Sequence, residues 1–327
     1  MTGEPGVSVV ITAHNAAGSI GACLQSIATQ AYDGSVEVVL VDDRSTDGTS
    51  EAALAAGLPG LRLLRVEKPS GSGLTTRQDA LALGIRAARG RVVLTTDADG
   101  IAAPDWISAM AAPILSGRAD AVAGPVLFRA ERGWLGIWQT IDVAYYLLLC
   151  SLLNALGFAG GVLFGNFAFR RELFDAVGGY ERIGFTLTED LAFGRALKAH
   201  GSRISYSSRG AVEVAACDSW STLVERAKRV SSGGLSALSL TIGGWMAALA
   251  VLAVLALAFG GAFFWLFVVR YLAGAAFSAI SVARVGRFSL LPAALLYEPL
   301  AIVIGLRVMA RLARSSRVEW GGKSYAR

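Results

Sequence analysis

Two stretches decide the fold: Val36-Glu37-Val38-Val39-Leu40-Val41-Asp42-Asp43 and Arg91-Val92-Val93-Leu94-Thr95-Thr96-Asp97-Ala98-Asp99. Each is a short run rich in β-branched residues, which reads as a buried strand, and each ends on carboxylates. Working outward, residues 7–12 and Leu61–Val66 read as further strands. Helical patterns fill the gaps over residues 16–30, entered through Asn15, and over 49–56 and 75–89. Strand–helix alternation with short connections predicts an α/β chain with a parallel, doubly wound sheet. Ligands of such sheets sit at the carboxyl ends of the strands. Asn15, Asp42 and Asp97 fall at such ends, and a third acidic pair, Glu189-Asp190, opens a helical pattern downstream.

The carboxylates have chemical consequences. On an extended segment, Asp97 and Asp99 would point to the same side and repel unless a cation lies near them. A hard divalent ion, Mg²⁺ or Mn²⁺, held by one or two carboxylates plus substrate phosphates suits that arrangement. An acidic residue after a strand also serves as a turn former or helix cap. For Asp47, in Asp47-Gly48-Thr49, the two readings are balanced.

Of the 327 residues, 54% are hydrophobic and only 17% are charged, with a mean hydropathy of +0.52. Ordinary soluble domains carry about 25% charged residues, so part of the chain is expected to meet lipid. Cys23, Cys150 and Cys217 form no CxxC spacing and give no disulfide framework or zinc site, which suits a reducing compartment. The net charge of +5, with arginines crowding towards the C-terminal part, reads as a membrane-surface bias and not as a nucleic-acid footprint. The first residues carry no basic n-region, so no signal peptide is expected and the chain is read as starting in the cytosol.

Apolar runs set the expected membrane layout. Residues 143–169 carry no charge, but Gly157, Gly160, Gly161 and Gly165 break the stretch. A single crossing would put the later carboxylates across the membrane from Asp97. Helices in the interface, with Trp134, Trp138, Tyr145 and Tyr146 near headgroup level, are therefore preferred. An ordinary buried core helix is the alternative. From 230 to 283 the only charged residue is Arg270. One helix of that length would overshoot a bilayer core of about 30 Å, so two crossings are expected, 236–259 and 262–283, turning at Gly260-Gly261. Arg284 and Arg287 then lie in a cytosolic connection. The run 288–306, interrupted by Pro292 and Glu298-Pro299 and flanked by arginines, reads as interfacial or re-entrant. Glu298 at membrane depth must be paired or functional. The domains expected are 1–234, catalytic and including interfacial helices near 134–165, and 235–327, transmembrane with a basic cytosolic tail.

Seven segments together carry a resemblance. They are Val7 through Asn15; Val41-Asp42-Asp43-Arg44-Ser45-Thr46-Asp47-Gly48-Thr49; Thr76-Arg77-Gln78 with Gly84-Ile85; Asp97-Ala98-Asp99 with Pro104-Asp105-Trp106; Gly165-Asn166 with Phe169-Arg170-Arg171; Val177-Gly178-Gly179-Tyr180; and Thr188-Glu189-Asp190. In this order they resemble family 2 glycosyltransferases of the GT-A fold, over residues 7–234. The resemblance implies a Rossmann-like, doubly wound mixed sheet and inverting transfer of a sugar from a nucleotide-diphosphate donor. By the same resemblance Asn15, Asp42 and Asp43 would serve the nucleoside, one aspartate contacting the base. Arg77 would sit near base or diphosphate, Asp97 at ribose, donor sugar and metal, Asp99 on the metal, and Asp190 would be the general base. Glu189 would act beside it through like charge, unless the pair merely favours a helix N-terminus.

Polymer-making membrane synthases of the family carry Gln-x-x-Arg-Trp after the base. Here Arg226-Ala227-Lys228-Arg229-Val230 stands in its place, followed by Gly233-Gly234. Arg229 keeps a diphosphate-binding role in this reading, and the missing tryptophan counts against a processive polymerase. The tail 318–325 resembles, more weakly, that of ceramide-glucosyltransferase-like, lipid-glycosylating enzymes. The leading expectation is a divalent-metal-dependent inverting hexosyltransferase with a lipid-like acceptor, multi-pass in the cell's inner membrane with its catalytic domain facing the cytoplasm. A polysaccharide or oligosaccharide synthase of the same family, or an inactive nucleotide-sugar-binding partner, are the alternatives. No nucleic-acid partner is expected.

Overall fold

The computed structural model describes residues 6–68, 71–129, 133–231, 237–314, 317–320 and 323–326. The first five residues, the expected helix start at Ser236, the Gly233-Gly234 pair and Gly321-Gly322 of the tail lie outside the described residues. The strands are β1 (Val7–Ala13), β2 (Val36–Asp43), β3 (Leu61–Val66), β4 (Val92–Asp97), β5 (Ile101–Ala102), β6 (Ala121–Ala123), β7 (Val126–Phe128), β8 (Phe167–Arg170), β9 (Ile204–Tyr206) and β10 (Val212–Val214), then β11 (Arg317–Trp320) and β12 (Lys323–Ala326). The helices are α1 (Ala17–Ala28), α2 (Thr49–Ala55), α3 (Thr76–Ala87), α4 (Trp106–Leu115), α5 (Trp134–Ala155), α6 (Glu172–Ala176), α7 (Gly179–Ile183) and α8 (Glu189–Ala199). They continue with α9 (Trp220–Ser231), α10 (Ala237–Phe259), α11 (Gly261–Arg284), α12 (Leu291–Ala294) and α13 (Tyr297–Arg314). Packing divides the chain into two units: residues up to Leu127 with Gly161–Ala215, and Phe128–Gly160 with residues from Ala216 on. This partition differs from a boundary at 234, because α5 and α9 pack with the C-terminal helices.

The first unit is built on a seven-stranded sheet of order β3-β2-β1-β4-β8-β6-β9. Its central strands are buried on both faces (Val9, Val10, Ile11, Val39 and Leu40 are fully inaccessible), as a helix-covered parallel sheet requires. Register aligns the strand ends: Ala13 lies opposite Asp42, and Thr12 opposite Asp97. The sheet is parallel from β3 through β2 and β1 to β4, and again between β6 and β9. After a long excursion the chain returns as β8, antiparallel to β4 with Thr95 opposite Phe167, which makes the sheet mixed, as the family resemblance implied. Helix α1 is not entered through Asn15. Its N-cap, Ala16, offers no side-chain bond, and the Ala17 N–H is accepted instead by Asp47 Oδ2 at 3.0 Å, from the loop after β2. Helix α3 starts with a capping box, Thr75 and Gln78 accepting each other's backbone N–H at 3.1 Å.

The second unit is helical. Helix α5 runs unbroken for 22 residues and stops before Gly157, whose φ of 91° belongs to glycine. Trp138 and Tyr145 are not headgroup anchors. Both are buried, with ring centroids 6.0 and 5.0 Å from Tyr297 of α13, because they face the core of this unit. Trp134 is exposed and Tyr146 half-buried. Helices α10 and α11 form a hairpin turning at Gly260-Gly261, where φ is 59° and 52°. Helices Trp134–Ala155, Leu240–Phe259 and Gly261–Arg284 are long and apolar enough to cross a membrane. The bent pair Phe288–Ala294 and Tyr297–Arg311, kinked by 63°, would make a fourth span if counted as one. Glu298 is paired with Arg270 at 2.8 Å, which answers the question its sequence position raised. Strands β11 and β12 form an antiparallel hairpin with Val318 opposite Tyr325.

Candidate active site

Three strand ends converge at the carboxyl edge of β1, β2 and β4. After β1, Asn15 takes φ 51°, donates its N–H to Ser45 Oγ (2.9 Å) and accepts the Thr46 N–H on Oδ1 (2.9 Å). It thereby stitches the first loop to the second. Asp42, only 2% exposed, is spent on the same loop: Oδ1 accepts the Ser45 N–H at 3.0 Å and Oδ2 the Ser50 hydroxyl. Burial alone would raise its pKa, but these hydrogen bonds outweigh it and hold the carboxyl below its ordinary value. Asp43 is clamped by Arg44 through two bonds of 2.8 and 3.0 Å. Asp47 serves as a cap, accepting from Thr49 as well as Ala17.

The centre of the site is Arg77, near the start of α3. Its Nη2 donates to Asp97 Oδ1 at 2.5 Å and its Nε to Glu189 Oε1 at 2.6 Å, the latter tying α3 to α8 across 112 residues of chain. Burial works against its charge, but the carboxylates of Asp97 and Glu189 overcome it and raise its pKa, with Asp190 adding to the same field. The like-charge pressure of Glu189 on Asp190 is thus countered by a shared arginine. Asp190 accepts the Leu191 N–H on Oδ1 at 2.8 Å and is half-buried at the N-terminus of α8.

Asp97 and Asp99 do not lie together on an extended strand. Asp97 is the last residue of β4, and a turn closed by Gly100 N–H to Asp97 O (2.9 Å) carries Asp99, whose Oδ2 accepts the Ala215 N–H at 3.4 Å. The turn replaces the expected i, i+2 geometry because Ala98 and Gly100 must tuck into the core beneath it. The negative field survives: burial, then the charges of Asp99 and Asp97, push the thiol of Cys23 up to about 12. Asp97 Oδ2 faces room kept by Gly165, where a Cβ would come within 3.0 Å of it. No group of three or more His, Cys, Asp or Glu among the described residues makes a ready protein cage for a metal. Two carboxylates at one strand edge fit a hard cation that completes its shell from diphosphate and water.

Several supports were not evident from sequence. Asn166, fully buried, accepts from Trp106 Nε1 (2.8 Å) and donates to the Pro125 and Gly210 carbonyls (2.9 and 2.8 Å), fixing the loop that holds Gly165. Gly124 leaves it space, since a Cβ there would meet its amide. Arg77's partnership with Glu189 had no local signal either. Arg229 lies half-buried on α9 in the second unit, and Arg226, which stands where the synthases carry glutamine, packs over the Phe128 ring at 4.6 Å.

Comparison with known proteins places this geometry. The family described as Glycosyl transferase family 2 matches residues 8–178, more than half of the chain. An N-acetylglucosaminyltransferase of Mesorhizobium japonicum is 31% identical over 147 residues, 44% of this chain and 33% of that protein. The succinoglycan biosynthesis protein ExoO of Rhizobium meliloti is 36% identical over 107 residues, 32% of this chain and 29% of that one. The chain thus matches about a third of the length of these relatives. Among solved structures, the mannosyltransferase PcManGT from Pyrobaculum calidifontis, in complex with GDP-Man and Mn²⁺, aligns over 91% of this chain and 88% of its own. Its TM-score is 0.54 at 21% identity, which shows a common fold. With its mixed sheet, its acidic turn after β4 and its Glu-Asp at α8, the chain belongs to glycosyltransferase family 2.

Proposed function

We propose that this protein moves a sugar from a nucleotide-diphosphate donor to a hydrophobic, lipid-like acceptor at a membrane, with inversion and with a divalent cation. The observation that carries the reading is the Asp97–Arg77–Glu189 bridge beside Asp190: a cation-binding carboxylate, a fixed positive charge and a candidate base at one strand edge. Asp43, the less spent of the two aspartates after β2, is assigned to the nucleoside base, and Asn15 and Asp42 to the shape of its loop. Asp97 and Asp99 would hold Mg²⁺ or Mn²⁺, and the mannosyltransferase with Mn²⁺ and GDP-Man supports that choice. When bound, the cation neutralises charge developing on the leaving diphosphate.

Arg77 is assigned to the diphosphate. Asp190 takes the proton of the acceptor hydroxyl as the new glycosidic bond forms and the bond to the diphosphate breaks. The apolar helices of the second unit support an acceptor that arrives from lipid and a multi-pass inner-membrane location with the catalytic domain in the cytoplasm. The relatives named for N-acetylglucosamine transfer and succinoglycan biosynthesis favour, as a second reading, a short oligosaccharide product.

Purified protein given a panel of UDP- and GDP-sugars, Mn²⁺ or Mg²⁺ and lipid extract tests this. Transfer to lipid is expected, and Asp190→Asn should slow it by about 10²–10⁴-fold without loss of fold. Unchanged transfer in both Asp190→Asn and Asp99→Ala would refute the mechanism. Long saccharide chains on one acceptor would select the second reading. A reporter fused after Arg327 should face the cytoplasm.

A further inference from the structure

The Val177-Gly178-Gly179-Tyr180 segment has no part in the chemistry above, yet its geometry points into it. Gly178 and Gly179 take φ of 86° and 59°, turning the chain from α6 into α7 in a conformation closed to most side chains. A Cβ on Gly179 would also come within 3.3 Å of Phe174. The turn drives Tyr180 inward until it is fully buried, its ring T-shaped on Phe174 at 5.6 Å and tilted against Phe193 at 6.4 Å. Phe193 is four residues beyond Glu189 on α8, so both side chains lie on one helix face. The Tyr180 ring therefore runs alongside the face that carries Glu189.

Two buried polar atoms occur in this place without a hydrogen-bond partner in the protein: the Tyr180 hydroxyl and Glu189 Oε2. The other oxygen of Glu189 is the one that holds Arg77. A buried donor and a buried acceptor are each costly alone, and the cost falls when they satisfy each other. Burial first, then the charges of Glu189 and Asp190, hold the Tyr180 hydroxyl well above its ordinary pKa, so it stays protonated and can only gain by donating.

We propose that Tyr180 is a positioning residue: its hydroxyl donates to Glu189 Oε2 through one bound water, and so fixes the carboxylate that aims Arg77 at Asp97 and the incoming diphosphate. The diphosphate part rests on the donor reading above. The Tyr180–Glu189 pair does not.

The test is a double-mutant cycle of Tyr180→Phe and Glu189→Gln in the full chain, which keeps both shapes. Tyr180→Phe should lower the melting temperature by about 2–4 °C. It should raise KM for the nucleotide sugar roughly three- to tenfold with kcat little changed. The double variant should be no worse than Glu189→Gln alone. An unchanged or higher melting temperature in Tyr180→Phe, as expected for a hydroxyl that merely sits idle, would overturn the proposal. Additive effects in the cycle would do the same. Should Glu189→Gln not fold, Tyr180→Phe decides alone through the donor KM. Failure of the unaltered protein to use any nucleotide sugar would overturn the donor reading and leave the stability cycle standing.

Discussion

Each unit contains an Arg–Glu pair whose glutamate is buried, and the two pairs are built differently. In the helical unit, Glu298 (2% exposed) accepts from Arg270 at 2.8 Å on one oxygen, and from Tyr145 at 3.0 Å and Trp245 Nε1 at 2.6 Å on the other. Arg270 also donates to the Trp245 carbonyl (2.6 Å) and lies 3.5 Å over its ring. Four helices, α5, α10, α11 and α13, meet on this one carboxylate. In the sheet unit, Glu189 has one oxygen on Arg77 and the other without a protein partner, and Arg77 is shared with an Asp97 whose side chain is one-third exposed. A carboxylate saturated with donors commits its charge to the fold. A pair with one arm towards a half-open carboxylate keeps capacity for a ligand.

Mutation should separate them. Arg270→Met strands a buried carboxylate and should cost about 3–5 kcal/mol, read as lost yield and a lower unfolding temperature in detergent. Arg77→Met also strands a buried carboxylate, Glu189, so it should destabilise comparably, but only here should the nucleotide affinity of the folded protein fall, tenfold or more by calorimetry, a loss of about 1.4 kcal/mol. An equal loss of nucleotide affinity in both variants would break the comparison. Two glycines sharpen it at lower amplitude. A Cβ on Gly274 would collide with the Glu298 carboxylate, so Gly274→Ala should cost about 1–3 kcal/mol of stability. At Gly165 the methyl would approach the more open Asp97, and Gly165→Ala should change stability by less than about 0.5 kcal/mol while raising the donor KM.

The sequence shows one side of this contrast better than the other. Strands β1 to β4 and helices α1 to α3 follow from local periodicity, because each buries a face by its own pattern. Asn15, Asp42 and Asp97 at one edge follow from the topology that pattern dictates. What binds Arg77 to Glu189 is a tertiary pairing across 112 residues, and no local pattern encodes it. The antiparallel entry of β8 has the same cause, since its partner is chosen by a chain returning from the second unit's helix. Asp47 was ambiguous because capping and ligand binding use the same residue types, and only the Ala17 and Thr49 bonds decide for the cap. Glu298 reads from sequence as an anomaly, and naming its partner required the fold.

A pH-dependent effect concerns carboxylates of the sheet unit that, unlike Glu189, are saturated. Glu37 accepts from Ser8 (2.5 Å), Arg62 (3.2 Å) and the N–H groups of Arg89 and Gly90, and Asp42 from Ser45 and Ser50. In both, burial pushes the pKa up and the hydrogen bonds pull it further down, so the folded value lies below the unfolded one. The sign follows: their stabilisation is complete above the unfolded carboxylate range, about pH 4, and is lost as pH falls through the depressed folded values. Ser50→Ala removes one donor to Asp42 and should cost about 0.5–1.5 kcal/mol at neutral pH. That deficit should shrink as the pH drops below about 4, because a protonated Asp42 gains little from the serine in either protein. Thermal melts of both proteins from pH 8 to pH 3 measure the gap. A gap independent of pH would mean that Ser50 acts through packing, and that saturation of Asp42 is not what holds the loop after β2.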